Sequence, residues 1–192
     1  MNIHPLLVEA SAEAERLARN VVPEQLSGPT PCAEFDTRTL INHWVLYTSH
    51  GLEHRALRKP MSEELTARDF AAEPDWAASY AVQLRRAVGA WAQPQAWEGE
   101  VDLGGGSMMP AAEIAAMVLK EMVVHGWDVA EATGQEYHAS PELEAAIEKI
   151  VAQYAEIYRE YKGFAEPVRT PEGATALERA LAMSGRDPGW RG

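Results

Sequence analysis

The sequence predicts an all-α protein, an up-and-down four-helix bundle with an extra C-terminal helix and tail. Three observations point there. Apolar residues recur at helical spacing through 4–20, 36–57, 75–91, 110–133 and 140–161. Caps and breakers punctuate those stretches, with Asp36, Gly134 and Ser140 the clearest. At 192 residues and 46% apolar composition, the chain is long enough for one domain with a real core and short for two.

The first helix places Leu6, Leu7, Ala10, Ala14 and Leu17 on one face, and a breaker-rich segment from Pro23 to Cys32 follows it. Asp36 caps the second helix, with Phe35 before it placed to staple onto Leu40, and Pro60 closes it after residue 57. A third helix starts after Pro74 with Asp75 as cap, runs to Trp91 and stops before Pro94. The glycine-rich stretch 97–109 reads equally as a short β-hairpin near 100–109 or a bare loop. Pro110 sits as the first residue of a fourth helix, which ends at Thr133 before Gly134. Ser140 and Pro141 open a fifth, which reaches Tyr161, and a short helical piece over 175–183 precedes a looser tail. The whole reads as a single domain over 1–192.

Seventeen basic against 29 acidic residues give a net charge of −12, which repels phosphate backbones, so no nucleic acid is expected as partner. No apolar stretch of membrane-spanning length occurs, and the N-terminus reads as the first amphipathic helix rather than a signal peptide, so no membrane partner is expected. Cys32 is the only cysteine, which excludes an internal disulfide and a thiolate cluster and fits a cytoplasmic protein. Its simplest role is packing at the entrance to the second helix.

The fourth helix carries the chemistry. At about 100° per residue, Glu113, Lys120 and Glu131 form one narrow polar stripe, while Glu121, His125 and Asp128 point elsewhere, among Ile114, Met117 and Val118. Residues four apart stand about 5–6 Å apart at Cβ, so a carboxylate and an imidazole at that spacing converge on one ion. A metal-free hydrogen-bonded His–Glu pair meets the same cost of burial. On the second helix His43, Tyr47, His50 and His54 fall within about 60° of one another, on the side of Leu40, Leu46 and Leu57. His50 therefore rivals His43 as a third ligand, and His50 with His54 forms a rival pair; the simpler reading is that both line a cleft or reach out at the bundle end. Tyr47 reads as a hydrogen-bond donor to the site, a substrate contact or a core residue. Asp128 reads as holding His125 or capping the helix near Gly134. Gly126 admits a close helix approach, and Trp44, Trp127 and Trp190 read first as core.

Three separated motifs carry a family resemblance. Thr30-Pro31-Cys32 with Phe35-Asp36, Arg38, Leu40 and His43 resembles the start of the metal-binding domain in the DinB/YfiT-like superfamily. Glu121 to Ala130, followed by Ala132-Thr133-Gly134, looks like the second motif of the actinobacterial branch related to mycothiol-dependent maleylpyruvate isomerase. Gly185-Arg186-Asp187-Pro188-Gly189-Trp190 resembles the ending of its single-domain members. The resemblance implies a DinB-like bundle with a divalent metal, usually zinc, on His43, Glu121 and His125, although nickel or iron suit the same donors. It implies a small-molecule thiol such as mycothiol as cosubstrate, an electrophile as its acceptor, and a homodimer. The isomerases of that branch carry a second domain for which this chain has no room, so thiol S-transfer is expected rather than isomerisation. A non-catalytic metal-binding regulator or interaction protein is the alternative on the same fold.

Overall fold

A computed structural model of the chain describes residues 3–103 and 106–192. Several of its helices begin at side-chain caps that the sequence supplies. Helix α1 (His4–Arg19) buries Leu7, Ala10, Ala14 and Leu17. Helix α2 (Thr37–Val45) starts at Asp36, whose side chain accepts the Thr39 N–H at 2.8 Å. It continues through a π-helical turn (Leu46–His50) into α3 (Gly51–Ala56), the Gly51 amide reaching the Leu46 carbonyl five residues back. Within that turn the hydroxyls of Thr48 and Ser49 donate to the carbonyls of Trp44 and Val45, each at 2.7 Å. They thereby compete for the acceptors of the ordinary four-residue ladder.

A short helix α4 (Glu63–Thr66), capped by Ser62, lies in the connection to α5 (Trp76–Trp91). Asp75 precedes α5 as expected but makes no side-chain cap. Its backbone (φ −107°, ψ 24°) is not the extended conformation that turns a capping carboxylate toward the first amides. Strands β1 (Glu100–Asp102) and β2 (Met108–Pro110) settle the ambiguity over 97–109, pairing antiparallel with Val101 opposite Met109. Gly104 and Gly105, part of that expectation, lie outside the described residues. Pro110 ends β2 and stands just before α6 (Ala111–Ala132) rather than opening it, and Gly134 closes α6 with φ +68°. Helix α7 (Pro141–Glu160) is capped by Ser140, and α8 (Ala176–Met183) by a reciprocal Thr175–Glu178 box.

Helices α1 and α2–α3 each pack against both α5 and α6, around a centre that includes Trp44, Tyr80, Trp91, Leu119 and Met122. Helix α7 lies on the remaining side of α6, and α8 packs on α7. This extra layer overturns one sequence expectation. Lys120, read as part of a polar stripe, is only 3% exposed, its ammonium 3.7 Å from the centre of the Tyr158 ring. On the same stripe Glu113 accepts the Tyr154 hydroxyl at 3.1 Å. No helix among the described residues is long and apolar enough to cross a membrane.

Candidate metal centre

Helices α2 and α6 face each other so that His43, Glu121 and His125 meet. Their ligand atoms all lie within 4.8 Å of one another. Glu121 Oε2 stands 3.1 Å from His125 Nε2 and 3.5 Å from His43 Nε2, and the two imidazoles are 4.9 Å apart in an edge-on arrangement. The four-residue spacing of Glu121 and His125 supplies one side, and the packing of α2 on α6 supplies the other.

His125 is oriented from behind. Its Nδ1 lies 2.9 Å from Asp128 Oδ2, leaving Nε2 toward Glu121 and His43. Asp128 is fully buried and also accepts three close contacts from the Arg186 guanidinium, at 3.0–3.3 Å. Burial alone would push the Asp128 carboxyl up, but Arg186 and His125 hold it below its usual value. Of the two roles considered for Asp128, the structure shows the bond to His125. Glu121 is treated similarly: burial opposes its charge, and Lys120 with the two histidines holds its carboxyl well below the usual range. For His125, burial lowers the pKa while Asp128 and Glu121 more than reverse that, leaving it raised.

A second group, Cys32 with His125 and Asp128, also lies within ligand distance. It fits a metal poorly. Asp128 is already bound by Arg186, and burial raises the Cys32 pKa, favouring the thiol over the thiolate a metal needs. Cys32 sits in the segment leading into α2, where packing was expected.

His50 and His54 do not join the cluster. The π-helical turn inserts one residue relative to a regular helix, so everything after it rotates by about 100° against the α2 face. His50 stacks on Phe70 with ring centres 5.3 Å apart, and burial with nearby Arg68 lowers its pKa to about 4. His54 Nδ1 pairs with the Pro60 carbonyl at 2.9 Å. Tyr47, which precedes most of the turn, keeps its place with its ring 4.6 Å from that of His43. Phe35 lies beside the histidines, 5.4 Å from His43 and 6.4 Å from His125.

The same rotation carries Arg55 onto the site face. A cleft of about 270 Å³ is lined by His43, Tyr47, Arg55, Leu103, Glu121 and Tyr158, with apolar residues of α6 completing it. Sequence reasoning missed Arg55, Lys120 and Arg186. The adjacent Thr48-Ser49 hydroxyls were the available signal for the π turn, and the C-terminal motif already contained Arg186. Trp44 belongs to the core, its indole N–H donating to the Met122 carbonyl at 3.2 Å. Gly126 faces that packing: a Cβ there would stand 3.0 Å from the Tyr137 ring and 3.5 Å from the Trp44 ring.

Comparisons with known proteins bear on the family and the fold. A family model described as the mycothiol maleylpyruvate isomerase N-terminal domain matches residues 7–130, a span containing His43, Glu121 and His125. Two uncharacterized proteins, from two strains of Mycobacterium tuberculosis, are each 28% identical over 181 residues, covering 88% of this chain and 90% of theirs. A crystal structure of a histidine-to-alanine mutant of mycothiol-dependent maleylpyruvate isomerase matches with a TM-score of 0.62 at 18% identity. The match covers 90% of this chain and 76% of that one, so the likeness of fold runs beyond residue 130.

Proposed function

The chain belongs to the family of the mycothiol maleylpyruvate isomerase N-terminal domain, and from that premise we propose a metal-dependent thiol transferase. His43, Glu121 and His125 hold a divalent ion, zinc being the first expectation, and the cleft beside them takes a low-molecular-weight thiol such as mycothiol together with an electrophile. The observation carrying this reading is the convergence of two imidazoles and one carboxylate within 4.8 Å, with His43 and Glu121 of that group lining a cleft. Three protein ligands leave room in a tetrahedral site for one more, the pattern of catalytic rather than structural zinc. When bound, such an ion stabilises a thiolate at neutral pH.

The remaining residues divide the work. Asp128 fixes the His125 ring so that Nε2 faces the site, and Lys120 keeps Glu121 ionised despite its burial. Tyr47 and Tyr158 line the cleft where the thiol enters. In the transfer, sulfur bonds to the electrophilic carbon as the thiol proton is lost and the leaving group departs, or the carbon–carbon double bond takes up that proton.

Metal content by mass spectrometry of wild type and His125→Ala, combined with a mycothiol conjugation assay using monochlorobimane, tests the proposal. Wild type is expected to hold one ion per chain and to accelerate conjugation, with both lost in the variant. Metal absent from both proteins refutes the site. Metal present in wild type without turnover refutes the transferase and leaves a binding protein.

A further inference from the structure

Three cations other than the histidines reach the neighbourhood of the site, and two of them are answered. Lys120 meets Glu121, and Arg186 meets Asp128. Arg55 is different. Its Nη1 is buried and has no hydrogen-bond partner among the described residues, although an arginine side chain stays charged in proteins. Glu121 lines the same cleft, but its oxygens already face Lys120 and the two histidines.

The placement of Arg55 is built by local sequence. The π turn swings it to the His43 side, and its guanidinium folds back over Gly51, where a Cβ would stand only 2.5 Å from Nη1. Arg55 also lines a second cleft of about 500 Å³ together with His54, Lys59, Thr66 and Leu103. It thus stands between the candidate metal centre and a larger space with further basic side chains. A planar guanidinium that lines both clefts presents paired N–H donors matching the two oxygens of a carboxylate.

We propose that Arg55 is an anion subsite that binds a carboxylate of the molecule entering the cleft. The inference rests on the reading of this cleft as the substrate site and adds a charge requirement to it. The carboxylate belongs to the electrophile or, where the thiol is one other than mycothiol (which has none), to the thiol, and Gly51 is a positioning residue that leaves room for the guanidinium.

Calorimetric titration of the metal-depleted full chain separates Arg55 from any coordination of the probe by metal. Fumarate carries the carboxylate on an electrophilic double bond and thioglycolate beside a thiol; fumaramide and 2-mercaptoacetamide are the neutral controls. At least one acid is expected to bind wild type with an affinity ten times or more above that for Arg55→Met, while its amide shows no such difference. The acid with the larger Arg55 dependence identifies which substrate carries the group. Gly51→Ala keeps the charge, favours the helix and displaces the guanidinium, so it should weaken the same acid at undiminished thermal stability. It also decides the matter if Arg55→Met folds poorly. Equal affinities across wild type, Arg55→Met and Gly51→Ala, or no binding of either acid to wild type, overturn the subsite. Metal content measured on parallel untreated samples keeps the two readings apart. Arg55-dependent binding in a protein that never holds metal refutes the metal centre alone, and metal without Arg55-dependent binding refutes the subsite alone.

Discussion

Replacing Arg186 by methionine removes one partner of a fully buried ion pair while keeping most of the apolar volume. Asp128 is 0% exposed and Arg186 only 5%, so neither charge has water to fall back on. Breaking such a pair from one side costs about 3–5 kcal/mol, because the remaining carboxylate stays buried without its main counter-charge. His125 remains bonded to Asp128 and offsets part of this, which places the expected loss near the lower bound, about 3 kcal/mol. For a chain of this size that corresponds to a drop of about 6–12 °C in Tm. Urea unfolding followed by circular dichroism measures it, and Asp128→Asn in the same background supplies the control. With the orphan charge gone, the double variant should recover at least about 1 kcal/mol relative to Arg186→Met. A loss below about 1 kcal/mol in the single variant would show that the tail does not carry the charge balance of the centre.

Two further outcomes follow from local chemistry. His50 is neutral and half-buried in the folded state, with burial and Arg68 lowering its pKa from 6.5 to about 4. The unfolded chain binds the proton first, so this contribution is intact above about pH 6.5 and is lost as pH falls toward 4. Solvent screening at the half-exposed ring keeps the loss well under the roughly 3 kcal/mol of a fully buried imidazole. Stability curves of wild type and His50→Leu should diverge across that window, and parallel curves contradict the assignment. Gly185 has φ +86°, and a Cβ there would stand 2.6 Å from Ala165 Cβ and 2.9 Å from its carbonyl carbon. Gly185→Ala should therefore destabilise by more than about 1 kcal/mol in chemical denaturation, and a neutral result would mean that the tail relaxes freely.

What could be read from the sequence was whatever depended on local spacing. Asp36 and Ser140 cap helices because a short polar side chain before an apolar-periodic stretch satisfies orphan amides wherever it occurs. Glu121 and His125 share a face because residues four apart always do within a regular helix. Asp75 shows the limit even there, since the residue type suited a cap and the backbone conformation did not. Lys120 was misread for another reason. Helical periodicity tells which residues point the same way, but whether water or another element lies in that direction depends on α7, whose docking leaves no local trace.

The π-helical turn is the most instructive difference, because one inserted residue exchanges the chemistry of a whole helix face. On a regular helix His54 would lie about 20° from His43 and Arg55 about 120° from it. With the insertion Arg55 takes the position near His43, and His54 turns away to the Pro60 carbonyl. A face that reads as a row of imidazoles becomes one imidazole, a tyrosine and a guanidinium. The chemical expectation changes with it. A row of histidines would offer several candidate metal ligands, whereas the face as folded offers one candidate and, beside it, a guanidinium that lines the cleft. The side chains that accompany this exchange, Thr48 and Ser49, touch neither the cleft nor its ligands. They act through the carbonyls of Trp44 and Val45. Which side chains this face presents to the cleft is thus set partly by hydrogen bonding to the backbone one turn away, where a search for ligand-type residues does not look.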